Sequence, residues 1–312
     1  MPSHRQNYVS TLIVLPGPTA IGKTTTAIKL AQHFQTEIIS ADSRQFYREL
    51  KIGTAAPTPI ELAAAKHHFI GNLSIKDYYN VSRYEKEVLQ LLDKLFKYYP
   101  VVVMTGGSGL YINAVCKGID ELPDPDEKLR KTIKDWYAKH GIEFLQAKLK
   151  EVDPEYYEIV DRKNPKRIMR ALEVCIATGT TFTSLRKNQA KPRDFNIIKI
   201  GLNRPRAELF ENIGHRTDQM ISDGLVEEVK GLAGYRNHNA LNTVGYKEIF
   251  EFLDGKITLD RAIENIKTNT RRYAKRQLTW FGHDKEITWF MPEDIEQVIL
   301  FVESKIHRPP FS

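Results

Sequence analysis

Hydrophobic positions along this chain gather into short blocks rather than spreading evenly. Residues 11–16 (TLIVLP) are apolar at nearly every position and are followed by a Gly/Pro-containing loop and then by helical periodicity over 23–34. A run of that length, bounded by turn residues, predicts a strand buried on both faces. Residues 37–40 and 101–104 repeat the pattern, and Gly106 and Gly107 end the second of these runs. Between them, Val88, Leu91, Leu92 and Leu95 share one face of a helix that stops before Pro100, and Ser82 with Glu85 reads as a capping box that opens it. Strands alternating with helices indicate an α/β fold, a P-loop-type parallel sheet flanked by helices.

Near residue 120 the strand-like blocks vanish. Segments 127–137 and 165–178 have helical period and many charges, which predicts an all-helical insertion domain over 120–193. The core domain then comprises 1–119 and 194–312: residues 195–202 return to strand pattern, helices follow from about 206, a long basic one spans 259–280, and 287–290 reads as a last strand. No internal repeat or low-complexity tract interrupts this order.

Composition narrows the partners only a little. Lysine and arginine outnumber aspartate and glutamate by 46 to 39 over 312 residues, a net charge of +7 that leans toward a polyanionic partner. Cys116 and Cys175 lie far apart without a CxxC or a His/Cys cluster, so neither a disulfide framework nor a zinc module is suggested, and both read as small buried side chains. Residues 1–8 are polar and lack an apolar signal core, and no apolar run approaches a membrane span, so a cytoplasmic location away from membranes is expected.

The chemistry begins at the first loop. Gly17, Pro18, Thr19, Ala20, Ile21, Gly22, Lys23 and Thr24 fit G-x-x-x-x-G-K-[ST] between a strand and a helix, the context that motif requires. Loop amides and the helix N-terminus point at anionic oxygens, Lys23 adds a positive charge, and the Thr24 hydroxyl suits Mg²⁺. Such a loop serves kinases, NTPases and group transferases alike, because each holds a polyphosphate. Asp42 follows the second strand at its carboxyl end, where ligands bind in open α/β sheets, and reads as a turn residue, a general base or a Mg²⁺ organiser.

The wider strings carry a resemblance. GPTAxGKT at 17–24, SxDSxxxY at 40–47, IGTA at 52–55, GGSGLY at 106–111, LPxPDxxxR at 122–130, NPKRIMRALE at 164–173 and VGYKE at 244–248 together resemble the tRNA dimethylallyltransferase family, over nearly the whole chain. The resemblance implies a prenyltransferase that moves a dimethylallyl group from dimethylallyl diphosphate to N6 of the adenosine immediately 3′ of the tRNA anticodon, position 37, and releases diphosphate. It implies Asp42 as the base near N6, and the loop amides, Thr19, Lys23, Arg216 and a Thr24-bound Mg²⁺ as stabilisers of the leaving group. Ser108, where the family more often has threonine, is implied near the transferred group.

The resemblance also places the tRNA anticodon stem-loop. Asp42, Ser43, Arg44, Gln45 and Ser108 are implied at the mouth of a channel for a flipped base. Arg130 and the run Lys166, Arg167, Ile168, Met169 and Arg170 are implied as contacts from the helical insertion. Asn242, Gly245 and Tyr246 are implied on the anticodon-loop side, although Asn242 stands where many bacterial members have arginine. Arg271, Arg272, Lys275 and Arg276 match a basic C-terminal motif suited to phosphates. His67 and His68 lack partners at metal spacing and receive no role. A monomer is expected. The competing readings are an isopentenyltransferase acting on free AMP, ADP or ATP, a P-loop small-molecule kinase, and a tRNA-binding module without turnover. The basic helical insertion disfavours the first, the motifs after the loop the second, and the intact Gly22, Lys23, Thr24 and Asp42 the third.

Overall fold

Thr11–Pro16 forms β1, and all its positions are buried. With Ile38–Ser40 (β2), His67–His68 (β3), Val101–Gly106 (β4), Asn196–Leu202 (β5) and Ile287–Phe290 (β6) it builds a six-stranded sheet of order β3-β2-β4-β1-β5-β6. Every pairing is parallel. The computed structural model describes residues 9–124, 126–187 and 189–306, so the segment 1–8 read for a signal core lies outside the described residues. No helix among them is long and apolar enough to cross a membrane.

The continuous apolar runs follow from burial on both faces of the sheet. Leu12, Val14, Ile39, Val102 and Met104 pack on one side against the helices Val81–Leu95 and Gly109–Lys117. Ile13, Leu15, Ile38 and Val103 pack on the other against Lys23–His33, Arg206–Ser222 and Ile295–Ile306. Adjacent residues of one strand thus serve opposite layers, as a period of two dictates. Each such side chain is worth roughly 1.5–3 kcal/mol of burial. A third cluster, around Leu50, Leu225, Tyr246, Phe250 and Ile266, joins the segment after β2 to the helices Leu225–Gly231, Tyr246–Leu253 and Leu259–Gly282.

Two local expectations change. The helix Val81–Leu95 is capped by Asn80, whose side chain accepts the Arg83 N–H at 2.9 Å, and not by Ser82. Glu85 lies a half-turn beyond the position a capping box needs; it is buried and pairs with Arg193 at 2.6 Å, while Arg193 also donates to the carbonyls of Ala114 and Val115. The strand β3 escapes the pattern because two residues carry no period; it pairs with β2 through Ile38 to His67 and Ile39 to His68.

Strand order sets the site. From β1 the chain first builds outward through β2 and β3, inserts β4, and then returns past β1 to β5 and β6. That reversal opens a crevice outside the carboxyl ends of the strands. At those ends β2 and β4 approach closely: a Cβ on Gly106 would meet the Ala41 carbonyl oxygen at 2.3 Å, so only glycine fits.

By its contacts the chain divides into residues 1–116 with 193–312, the sheet unit, and residues 117–192. The second unit is helical, with Glu127–Val152, Pro154–Ile159, Pro165–Thr178 and Phe182–Leu185 around a core that includes Ile133, Leu145, Leu149, Ile168, Leu172 and Phe182. The first helix breaks at Gly141, where φ is 79°. Fully buried Asp153 knits the unit, accepting from the Tyr156 N–H, the Thr183 N–H and the Thr183 hydroxyl at 2.8–3.0 Å. Its two ends meet: Lys191 N donates to the Lys117 carbonyl at 2.8 Å. Cys116 and Cys175 are both buried, and neither is in a disulfide.

Candidate active site

A cavity of ≈ 880 Å³ occupies the crevice at the carboxyl ends of β1, β2 and β4. Its floor is the phosphate loop: Thr19, Ala20, Ile21, Gly22, Lys23 and Thr24 all line it. Gly22 takes a φ of 101° as the N-cap of Lys23–His33, a left-handed turn that glycine alone enters without strain. This aims the first helical N–H groups at the cavity, a ready anion site. Lys23 Nζ donates to the Pro18 carbonyl at 2.6 Å, so the cation is held across the loop.

Charge is concentrated against that floor. Burial, and after it the neighbouring Arg216 guanidinium, push the Lys23 ammonium down to about 7, with Asp42 opposing them. Arg216, on the helix Arg206–Ser222, is likewise lowered by burial while Asp42 and Glu61 pull the other way. Two cations crowded at a desolvated helix N-terminus are electrostatically unsatisfied; a polyanion between them relieves both.

Asp42 faces this pair from the end of β2. Its Oδ1 accepts the Arg44 N–H at 2.9 Å, a turn that fixes the carboxylate. Its Oδ2 has no hydrogen-bond partner among the described residues, which leaves one oxygen able to take a proton. Arg44 in turn grips the carbonyls of Asn239 and Ala240 at 3.0 and 3.3 Å. Gly53, Thr54 and Ala55 form a facing wall, and Asn269, Arg272, Tyr273, Arg276 and Gln277 project from Leu259–Gly282 to close the cavity. A deep anion site, a carboxylate beside it and a cationic mouth suit transfer of a group from a diphosphate to an acceptor that enters from outside.

The family model described as IPP transferase matches residues 45–284. The chain belongs to the IPP transferase family. It is 52% identical over 296 residues to a tRNA dimethylallyltransferase 1 of Bacteroides fragilis, covering 95% of this chain and 98% of that one. It is 52% identical over 303 residues to a tRNA dimethylallyltransferase of Christiangramia forsetii, covering 96% and 99%. Among solved structures, the full-length tRNA isopentenylpyrophosphate transferase of Bacillus halodurans superposes with a TM-score of 0.70 at 34% identity, covering 95% of this chain and 97% of that one. A eukaryotic dimethylallyltransferase acting on tRNA gives a TM-score of 0.78 at 24% identity over 97% of this chain and 81% of that one, a likeness of fold. The α/β fold with a parallel sheet, expected from the sequence, is that of the family.

Within this family site the residues singled out from sequence divide. Thr19, Lys23, Thr24, Asp42, Ser43, Arg44, Arg216, Asn242 and Gly245 reach the cavity together, and Gly17 and Pro18 do not line it. Ser108 does not line it. Its hydroxyl accepts the Ser43 N–H at 3.0 Å and donates to Ser43 Oγ at 3.2 Å, so it steadies the segment beside Asp42. Gln45 borders the cavity, and its amide nitrogen donates to the carbonyls of Thr54 and Ala55 while its oxygen accepts from Ser40, which makes it a brace for the facing wall. Tyr246 is fully buried and Ile168 is 1% exposed, so neither side chain is presented to an RNA: the pattern that put them in motifs is the pattern of a core.

In the helical unit Lys166 and Arg167 are exposed, and Met169 packs on the unit's core. Arg130 and Arg170 share the Glu173 carboxylate at 3.8 and 3.5 Å, and Arg170 also donates to the Pro123 carbonyl. Of the C-terminal basic motif, Arg272 and Arg276 line the cavity, whereas Arg271 and Lys275 lie over the Phe210 ring. His67, which no sequence pattern marks for a role, lines the cavity, with Nδ1 2.8 Å from the Ala65 carbonyl and burial lowering its pKa. Tyr273, Asn269 and Gln277 were likewise not singled out; their helical spacing on one face, next to the basic positions, was the available signal.

Proposed function

We propose that this chain is a tRNA dimethylallyltransferase: it moves a dimethylallyl group from dimethylallyl diphosphate to N6 of adenosine 37, beside the tRNA anticodon, giving N6-isopentenyladenosine and diphosphate. The observation that carries the reading is the convergence of an intact phosphate loop, Arg216 and a half-free Asp42 carboxylate on one cavity in a member of the IPP transferase family.

The diphosphate binds against the loop amides and the helix N-terminus, where its charge meets Lys23 and Arg216. As the allylic C–O bond breaks, negative charge grows on the departing oxygen, and these fixed donors stabilise it without reorganising. N6 of the adenine forms the new C–N bond and becomes cationic; its proton passes to Asp42 Oδ2. The base reaches this depth only when it leaves its stack, and Tyr273 and Arg276 at the mouth offer a ring and a cation to receive it. Among the described residues no group of three or more His, Cys, Asp or Glu could hold a metal alone, but Mg²⁺ takes most of its ligands from water and phosphates, and the Thr24 hydroxyl fits as its protein ligand. When bound there it supplies charge neutralisation to the diphosphate.

A monomer belongs to the same reading, and a tRNA substrate supports a cytoplasmic site of action. Incubating the protein with Mg²⁺, dimethylallyl diphosphate and an anticodon stem-loop, then weighing the RNA, tests the reading. A gain of one isopentenyl unit on RNA but none on AMP is expected; ATP turnover with unmodified RNA would sink it.

A further inference from the structure

Gln277 is 5% exposed, and both ends of its amide are used across the fold. Oε1 accepts the Thr19 N–H at 2.9 Å, and Nε2 donates to the Gly107 carbonyl at 2.9 Å. Thr19 belongs to the phosphate loop. Gly107 follows β4, and the adjoining Ser108 holds the segment beside Asp42, through its N–H on the Ala41 carbonyl at 3.2 Å and its hydroxyl on Ser43. One side chain therefore bridges the loop that holds a leaving group and the segment that carries the base.

The bridge dictates residue types at both ends. It needs an acceptor toward Thr19 and a donor toward Gly107, which an amide alone supplies; a carboxylate would set oxygen against the Gly107 carbonyl, and methionine would fill the space with neither bond. A Cβ on Gly107 would lie 2.2 Å from Gln277 Nε2, so the passage of the amide keeps that position glycine. The helix that carries Gln277 also places Tyr273 and Arg276 on the cavity.

We propose that Gln277 is a positioning residue for the transfer, clamping the Thr19 end of the phosphate loop to Gly107 so that the departing oxygen and the Asp42 carboxylate keep a fixed separation. The inference rests on the prenyl-transfer reading above. A displacement of about 1 Å in such a geometry costs on the order of 100-fold in rate.

The test is a double-mutant cycle on the full chain with Gln277→Ala, Gly107→Ala and both, reading kcat, the donor KM, inorganic pyrophosphate affinity and RNA affinity. Each single change is expected to lower kcat by at least about tenfold and to weaken pyrophosphate about tenfold, with RNA affinity within about twofold. The double variant is expected to be no worse than Gln277→Ala, because the new Cβ enters the space the amide vacates. Should Gly107→Ala fail to fold alone, its rescue by Gln277→Ala is the same result. Losses that multiply, a double variant that also fails to fold, or variants altered in melting temperature with kcat and KM unchanged, would each overturn the clamp. Non-additive pyrophosphate affinities in a protein that does not prenylate RNA would uphold the clamp and refute the functional reading.

Discussion

The phenol of Tyr246 donates to Glu228 Oε1 at 2.6 Å, and the same carboxylate accepts the backbone N–H groups of Lys51, Ile52 and Gly53 at 2.8–3.1 Å. Three successive amides around one anion, roofed by a buried ring, fix the wall that faces Asp42. A Cβ on Gly53 would meet that ring at 2.5 Å. Tyr246→Phe is therefore expected to cost about 1–3 kcal/mol, since it leaves a partly buried carboxylate short of a donor. Urea unfolding measures the loss, and RNA affinity at a temperature where both proteins are folded should not change. A selective loss of RNA affinity would mean that the ring leaves the core to touch the nucleic acid.

Asp42→Asn keeps an oxygen for the Arg44 N–H but removes the proton acceptor. The expected outcome is a fall in kcat of about 10²–10⁴-fold, the usual worth of a positioned base, with stem-loop binding retained. Single-turnover kinetics beside a filter-binding measurement separates the two.

The lowered Lys23 pKa sets a pH dependence. Above about 7 the ammonium gives up its proton, so pyrophosphate binding must take one up, and affinity is expected to fall as pH rises through and beyond that value. Subtracting the profile of Lys23→Met removes the ligand's own ionisation. For folding the sign is opposite in sense: between about 7 and the ordinary lysine value of 10.5 the unfolded chain binds more protons, so stability contributed by this group rises with pH across that window. Lys23→Met should flatten that slope in melting temperature.

Glu85→Ala strands Arg193 in a site where both side chains are about one-tenth exposed. A loss of about 3–5 kcal/mol is expected, read from the denaturation midpoint, whereas exposed pairs such as Lys148 with Glu151 should cost within about 1 kcal/mol.

Arg276→Ala removes one exposed cation from the mouth. Stem-loop affinity is expected to weaken and the log–log salt slope to fall by about 1, as for loss of a phosphate contact. An unchanged slope would place this arginine off the RNA path.

Much of this was legible in the sequence because it depends on period and on backbone. The blocks at 11–16 and 101–104 had to be buried strands, and the glycines of the loop had to turn tightly before a helix. What the sequence withheld is direction. Gln45 and Tyr246 sit in strings that also hold Asp42 and Gly245, and Ser108 in a third, yet their polar atoms turn inward to Thr54, Glu228 and Ser43. A motif marks neighbours in the chain, and a polar atom there turns to a substrate or to the protein according to partners that lie outside the motif. Glu228 and Gln277 are such partners, each separated from its target by a span that no local pattern crosses.

The hydrogen bond from Lys191 to Lys117 means that the seventy-odd residues between them begin and end at one point. A segment whose ends already touch adds little closure entropy to the rest of the chain when it folds, and its removal leaves a gap that a short turn can seal. In evolutionary terms such a segment is a cassette: its length and surface can change while the register of β4 and β5 stays fixed.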